Sequence, residues 1–208
     1  MNSNMINLFP LPLQKSNLRR AFTERELDFM KGELQKNHKS IANYASKNKY
    51  ILNADEMVDI RQALQNALDS YFKEVFNSSN KLSLKITQSW LTMTGNGESH
   101  HEHIHPNSVA SGVLYINLGD NDGISFYRNE DSQWYEFLRE KETYYSAKSF
   151  FIACEAGDIV IFPSNLRHGV KQNLMPVERI SLAFNTFFEG ELGRDEFSNA
   201  LTLSLGAN

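Results

Sequence analysis

The spacing of apolar positions changes once along the chain, near residue 81. Before that point it is helical. Leu27, Met30 and Leu34 recur one turn apart behind Thr23-Glu24-Arg25-Glu26, a threonine followed three residues later by glutamate, which is the form of a capping box. A second helix is predicted from Asn53 or Asp55 onward, with Met57, Ile60, Leu64, Leu68, Phe72 and Val75 as its apolar stripe. Ahead of both, residues 6–13 carry two prolines and read as an extended edge segment. After Lys81 the alternation is that of strands. Leu82–Thr87, the histidine-rich stretch from His100, Ala110–Asn117, Ile124–Tyr127, Phe150–Ala153, Ile159–Phe162 and Arg179–Asn185 are the segments it predicts. Gly95-Asn96-Gly97, Pro106-Asn107-Ser108, residues 119–123 and Gly157-Asp158 punctuate them.

Many short strands behind a helical prelude predict a mainly β protein with flanking helices: a jelly roll, or double-stranded β-helix, backed by an N-terminal helical layer. The expected organisation is one domain over residues 1–208. Residues 1–80 would be edge segment and supporting helices, 81–190 the core, and 191–208 a C-terminal tail. Residues 128–149 are charged and aromatic. With Trp134, Tyr135, Phe137, Tyr144 and Tyr145 they read either as a lid or as a solvated crossover with aromatic anchors.

Composition narrows the function classes. A hydrophobic content of 41% and a charged content of 22% fit a soluble globular protein, and a net charge of −4 argues against nucleic acid as a partner. No apolar run is long enough to span a bilayer, and residues 1–4 do not begin a leader, so no membrane association is expected. Cys154 is the only cysteine; it is expected to be a buried small hydrophobe in a reducing cytoplasm.

The concentrated chemistry lies in His100-His101-Glu102-His103-Ile104-His105, with His168 much later, behind an apolar strand. Imidazoles this dense repel one another when charged and add little to a core. A metal removes both objections, because neutral imidazole ligates iron, zinc, copper and nickel. In a strand, His101, His103 and His105 would share one face, with His100, Glu102 and Ile104 opposite. Two ligand frames are open on the residues alone. His100-x-Glu102 gives a histidine–carboxylate pair, and His103-x-His105 gives an all-histidine set with His168.

The string Thr94–Gly97, the His-x-His pair and Ser111–Asn117 together resemble the core of the 2-oxoglutarate- and Fe(II)-dependent dioxygenases, with the prolyl-hydroxylase branch closest. His103 through Ser108 is also similar to 2-oxoglutarate/Fe(II) oxygenases of marine bacteria and their phages. The resemblance implies His103, His105 and His168 as the metal ligands, with His105 standing where that family usually has an aspartate. It implies Arg179 and Ser181, which share a strand face, together with Tyr115, as the holders of the distal carboxylate of 2-oxoglutarate. The implied activity is hydroxylation of a small-molecule or peptide substrate using O2, with Fe(II) as cofactor and 2-oxoglutarate as co-substrate; a homodimer is compatible with it. A zinc hydrolase with Glu98 or Glu102 as base, and a non-catalytic cupin-like binding protein, are the rival readings.

Overall fold

The computed structural model describes residues 3–128, 138 and 140–206. Two antiparallel sheets carry the chain. The larger has eight strands: β1 (Gln14–Asn17), β2 (Asn37–Lys39), β3 (Tyr44–Ser46), β4 (Leu82–Thr94), β6 (Ala110–Asn117), β9 (Asp158–Pro163), β11 (Arg179–Leu192) and β12 (Leu201–Leu203). The smaller holds β5 (His100–His103), β7 (Gly123–Tyr127), β8 (Ser149–Ala153) and β10 (His168–Val170), in the order β5-β10-β7-β8. Mainly antiparallel strands in two facing sheets, with helices on one side, are the jelly-roll architecture that the strand pattern predicts.

Period-two alternation explains the layers. Leu114, Ile161, Leu182 and Phe184 point from the larger sheet toward the helices, into one core with Met30, Leu64 and Leu68. Their neighbours Tyr115, Val160 and Phe162 point the other way and pack with Ile124 and Phe126 of the smaller sheet. Both faces of β6 and β9 are covered, so these strands read as nearly continuous apolar runs rather than as clean alternations.

The helices are α1 (Glu24–Gln35) and α2 (Val58–Val75). Thr23 and Glu26 form the predicted capping box in full, and Arg20 holds the Glu26 carboxylate from outside. The second helix begins later than its stripe suggests. Residues 51–53 and 55–57 are single 3₁₀ turns, and Met57 is buried just before α2 opens. At the far end Tyr71 takes the buried position and Val75 is exposed, because a 3.6-residue turn drifts off a strict four-residue repeat.

Residues 6–13 are not a strand. They are mostly exposed, and pairing begins only at Gln14, past both prolines, where β1 adds to β9 as the edge of the larger sheet. The segment from 191 onward is more than a tail, since β12 pairs with the end of β11.

Gly112 on β6 lies opposite Phe184 of β11, and a Cβ there would fall 2.1 Å from the Phe184 ring. Gly32 in α1 has open space at the same position. Gly112→Ala should therefore destabilise by about 1–3 kcal/mol through overpacking, whereas Gly32→Ala should stabilise by up to about 1 kcal/mol through helix propensity. Urea unfolding of the two variants measures both, and equal effects would contradict the packing described.

Candidate functional site

β10 runs antiparallel to β5, with His168 opposite His103 and Val170 opposite His100. Two steps on β10 match three on β5, which is a β-bulge. A regular strand would send His100 and His103 to opposite faces; the extra residue brings both to one cavity between the sheets. The expected strand phase is corrected here, because His100 lines that cavity and His101 does not. Nor does one strand carry both His103 and His105. β5 ends at His103, and His105 sits on the turn that follows, its backbone N–H donating to the Ser164 carbonyl at 2.9 Å. Asn107, at φ 58°, reverses the chain in the left-handed region that asparagine tolerates. The hydroxyls of Ser108, Ser164 and Ser111, linked at 2.8 Å each, tie this turn to β6 and to the end of β9.

One ring nitrogen from each of His103, His105 and His168 lies within 4.8 Å of the other two. His103 Nδ1 is 2.8 Å from the His101 carbonyl, and His168 Nδ1 is 2.9 Å from the Leu166 carbonyl. Each Nδ1 therefore carries the hydrogen, which leaves the Nε2 lone pair of both rings free for a cation. His105 Nε2 stands 3.2 Å from His168 Nε2. Burial first, and the neighbouring histidines after it, keep these rings neutral, with His105 brought down to about 3 and His168 to about 4. His103 is lowered by the same cause, and His100 falls to about 3. Neutral imidazole is the form a metal requires.

The other end of the cavity is formed by Arg179, Ser181 and Tyr115, three residues that the sequence points to. Ser181 lies opposite Tyr115 across β11 and β6, and opposite Thr92 across β11 and β4. Arg179 is 5% exposed, and its fork is already occupied. Its Nε donates to Asp122 Oδ2 at 2.6 Å and its second terminal nitrogen to Asp122 Oδ1 at 2.5 Å. The Gly123 N–H fixes the same Oδ1 at 2.7 Å. The remaining guanidinium nitrogen, Nη1, is buried without a hydrogen-bond partner among the described residues, and so is the Tyr115 hydroxyl. Burial raises the Tyr115 hydroxyl well above its ordinary pKa, so it remains a donor; the Cys154 thiol beside it is only a weak partner. Arg179 thus has Nη1 alone left to offer, in the same cavity as the Tyr115 hydroxyl.

Several positions at the cavity escaped the sequence reading. Trp90, Thr92 and Thr94 line the cavity from the far half of β4, beyond the segment read as a strand, and Trp90 lies 5.7 Å from the His105 ring. Their period-two spacing was the available signal. Asp122 sat inside a stretch legible only as a turn. Glu98 is tied to the Gly95 N–H at 2.8 Å and Glu102 is exposed; neither lines the cavity. Of the lid reading, Tyr144 and Tyr145 are exposed and lie outside the cavity lining, while Trp134, Tyr135 and Phe137 fall outside the described residues.

Residues 88–185 match a family model described as "Putative 2OG-Fe(II) oxygenase". That stretch belongs to the 2OG-Fe(II) oxygenases. It runs from within β4 to within β11 and contains every residue of the cavity named above. The fold of the chain is similar to that of HygX from Streptomyces hygroscopicus, solved with nickel, 2-oxoglutarate and hygromycin B: the TM-score is 0.56 at 12% identity, over 85% of this chain and 82% of that one. A 2OG-Fe(II) oxygenase-family oxidoreductase from Burkholderia pseudomallei gives 0.56 at 12%, over 84% and 83% of the two chains. A Pseudomonas putida prolyl-4-hydroxylase gives 0.51 at 12%, over 84% and 92%. At such identities the likeness is one of fold. Among curated proteins, none matches the chain in sequence. No helix among the described residues is long and apolar enough to cross a membrane.

Because the folded histidines hold protons less tightly than the ordinary value of 6.5, the unfolded chain binds more protons as pH falls below it. Stability of the metal-free protein should therefore drop between pH 6.5 and about 5, before carboxylates titrate. The urea midpoint across that window measures it, and a flat midpoint would mean that the rings titrate in the fold as they do in the unfolded chain.

Proposed function

We propose that the chain is a 2-oxoglutarate- and Fe(II)-dependent oxygenase that hydroxylates a small-molecule or peptide substrate, with His103, His105 and His168 as the iron ligands. One observation carries the reading. Two buried donors, Arg179 Nη1 and the Tyr115 hydroxyl, share a cavity with three converging neutral imidazoles and have no hydrogen-bond partner among the described residues beyond the weak Cys154 thiol. A buried unpaired donor costs about 1–3 kcal/mol, so the pair is best explained by a carboxylate that completes it. A dianionic keto acid, one end at the metal and the other at these donors, fits both halves of the cavity. A zinc hydrolase leaves Arg179 and Tyr115 without a task, and neither Glu98 nor Glu102 reaches the cavity as its base. A cupin-like binding protein has no need of the carboxylate donors.

When bound there, ferrous iron with 2-oxoglutarate supplies the oxidation: O2 is consumed, the keto acid yields succinate and carbon dioxide, and the second oxygen atom enters a C–H bond of the substrate. The protein's own contribution is positional. The His101 and Leu166 carbonyls hold two imidazoles in the tautomer that presents Nε2. Asp122 aims the guanidinium so that Nη1, beside Tyr115, faces inward. Val113, Ile124 and Ala183 line the walls with apolar surface, which keeps water from the reacting groups. A reducing cytoplasm suits both ferrous iron and the free Cys154. Succinate formation coupled to 2-oxoglutarate loss, with anaerobically purified protein loaded with iron or with zinc, tests the reading; no succinate with iron in the occupied site would overturn it.

Tyr115→Phe separates function from stability. Removing the hydroxyl should raise the 2-oxoglutarate requirement about tenfold or more, as loss of a charge-assisted hydrogen bond does. It should leave the metal-free protein as stable or more stable, since an unsatisfied buried group is gone. A destabilised variant with an unchanged requirement would assign Tyr115 to packing.

His105→Asp should keep iron and restore the usual two-histidine, one-carboxylate set. It also adds a negative charge to a cavity that receives a dianion. Adding Asp122→Asn to it should therefore lower the 2-oxoglutarate requirement relative to His105→Asp alone. Succinate formation against co-substrate concentration reads this out, and a further increase in the requirement would show that Asp122 matters only for aiming Arg179.

A further inference from the structure

Five histidines meet at β5 and β10, and three suffice for the proposed iron. His100 and His101 are left over. With His103 they form a second cluster whose ligand nitrogens all lie within 4.8 Å of one another. Its ring centroids are 4.6, 5.0 and 5.5 Å apart, against 4.4, 4.9 and 5.0 Å for His103, His105 and His168. The two sets are thus comparable in geometry. The β5 bulge is what builds the second one, by bringing His100 round to the side of His103. An independent observation points to an occupant: His101 Nδ1 is buried and has no hydrogen-bond partner among the described residues. The second set is also the more accessible. All three of its residues are half-buried, whereas the other contains His168 at 4% exposure.

We propose that His100, His101 and His103 form an outer site for a divalent cation of the zinc or nickel kind, which shares His103 with the inner pair His105 and His168. His103 commits Nδ1–H to the His101 carbonyl, so it has one lone pair to give. An ion on the outer triad therefore takes His103 from the inner one, and the two sites are filled in alternation rather than together. The outer triad either delivers its ion inward through His103 or, at excess zinc, holds His103 back. This site stands independently of the oxygenase reading, since it needs neither 2-oxoglutarate nor turnover.

The probe is Zn(II) alone, measured by equilibrium dialysis on the full chain with His105→Ala and His168→Ala combined and the fold checked by circular dichroism. The expected result is that this variant still takes up zinc. Adding His100→Ala and His101→Ala should weaken binding by more than about 100-fold, beyond what loss of a supporting group causes. Equal zinc binding by the double and quadruple variants overturns the proposal. Should loss of the buried His168 unfold the chain, wild-type protein answers the same question through proton–nitrogen correlation spectra of its histidine rings. Excess zinc should shift the ring nitrogens of His100 and His101; a response confined to His103, His105 and His168 rejects the outer site. Zinc on the outer histidines but never on His105 and His168 would instead count against the iron site of the oxygenase reading.

Discussion

Everything at the cavity depends on one cross-strand register, His103 of β5 opposite His168 of β10. Backbone hydrogen bonds set that register, and side chains directly opposite in an antiparallel pair come within reach of one another. A slip by one residue would turn His168 toward the other face and empty the site. The neighbours of β10 guard against it. His168 also faces Phe126 of β7, and its ring lies 4.6 Å from that of Phe162 on β9, so the strand is held from two sides by apolar contacts that a slipped register would lose. The bulge on β5 changes the face of His100 but leaves this pair in register, because it falls between His103 and His100.

The same register explains why the histidines can be crowded. Water is largely excluded between the sheets, so an imidazolium there is disfavoured by burial and again by its neighbours. Neutral rings at close spacing leave lone pairs pointing at one another, an arrangement that only a cation or a shared proton resolves. Two carbonyls, of His101 and Leu166, decide which nitrogen is free. Backbone geometry thus sets the tautomers before any ligand arrives.

Those parts of the fold that rest on local chemistry were legible in the sequence. The capping box at Thr23, strand β6 at its full length and the apolar run of β9 follow from spacing alone. The parts that depend on tertiary pairing were not. β2, β3, β10 and β12 are only three residues long each and carry no pattern of their own; they exist because a neighbouring edge is there to pair with. The histidine cluster announced a metal, but period two misassigned its faces, because a bulge is a property of two strands and leaves no mark on one. Asp122 was hidden for a related reason. Nothing about an aspartate in a glycine-flanked turn says that an arginine 57 residues later will close on it.

That ion pair also bears on the histidine that stands in place of a carboxylate. In the usual arrangement a metal dication, one anionic ligand, a dianionic keto acid and one arginine sum to zero charge. In the proposed site His105 brings no anion to the metal end, and by itself that would leave the filled cavity with one positive charge. Asp122 supplies the missing negative charge at the opposite end, against Arg179. The sum returns to zero, with the acidic group moved from the metal to the co-substrate's distal partner. A filled, water-poor cavity is far more tolerant of that displacement than of an unbalanced charge, since an uncompensated buried ion costs several kcal/mol while a separated pair recovers part of that cost through the field between its members. The relocation has a chemical consequence. Without an anionic ligand the higher oxidation states of iron are less stabilised, so the burden of driving the oxidation shifts toward the keto acid and its exact placement. In the proposed site that placement rests on Arg179, aimed by Asp122, and on Tyr115, both of them buried.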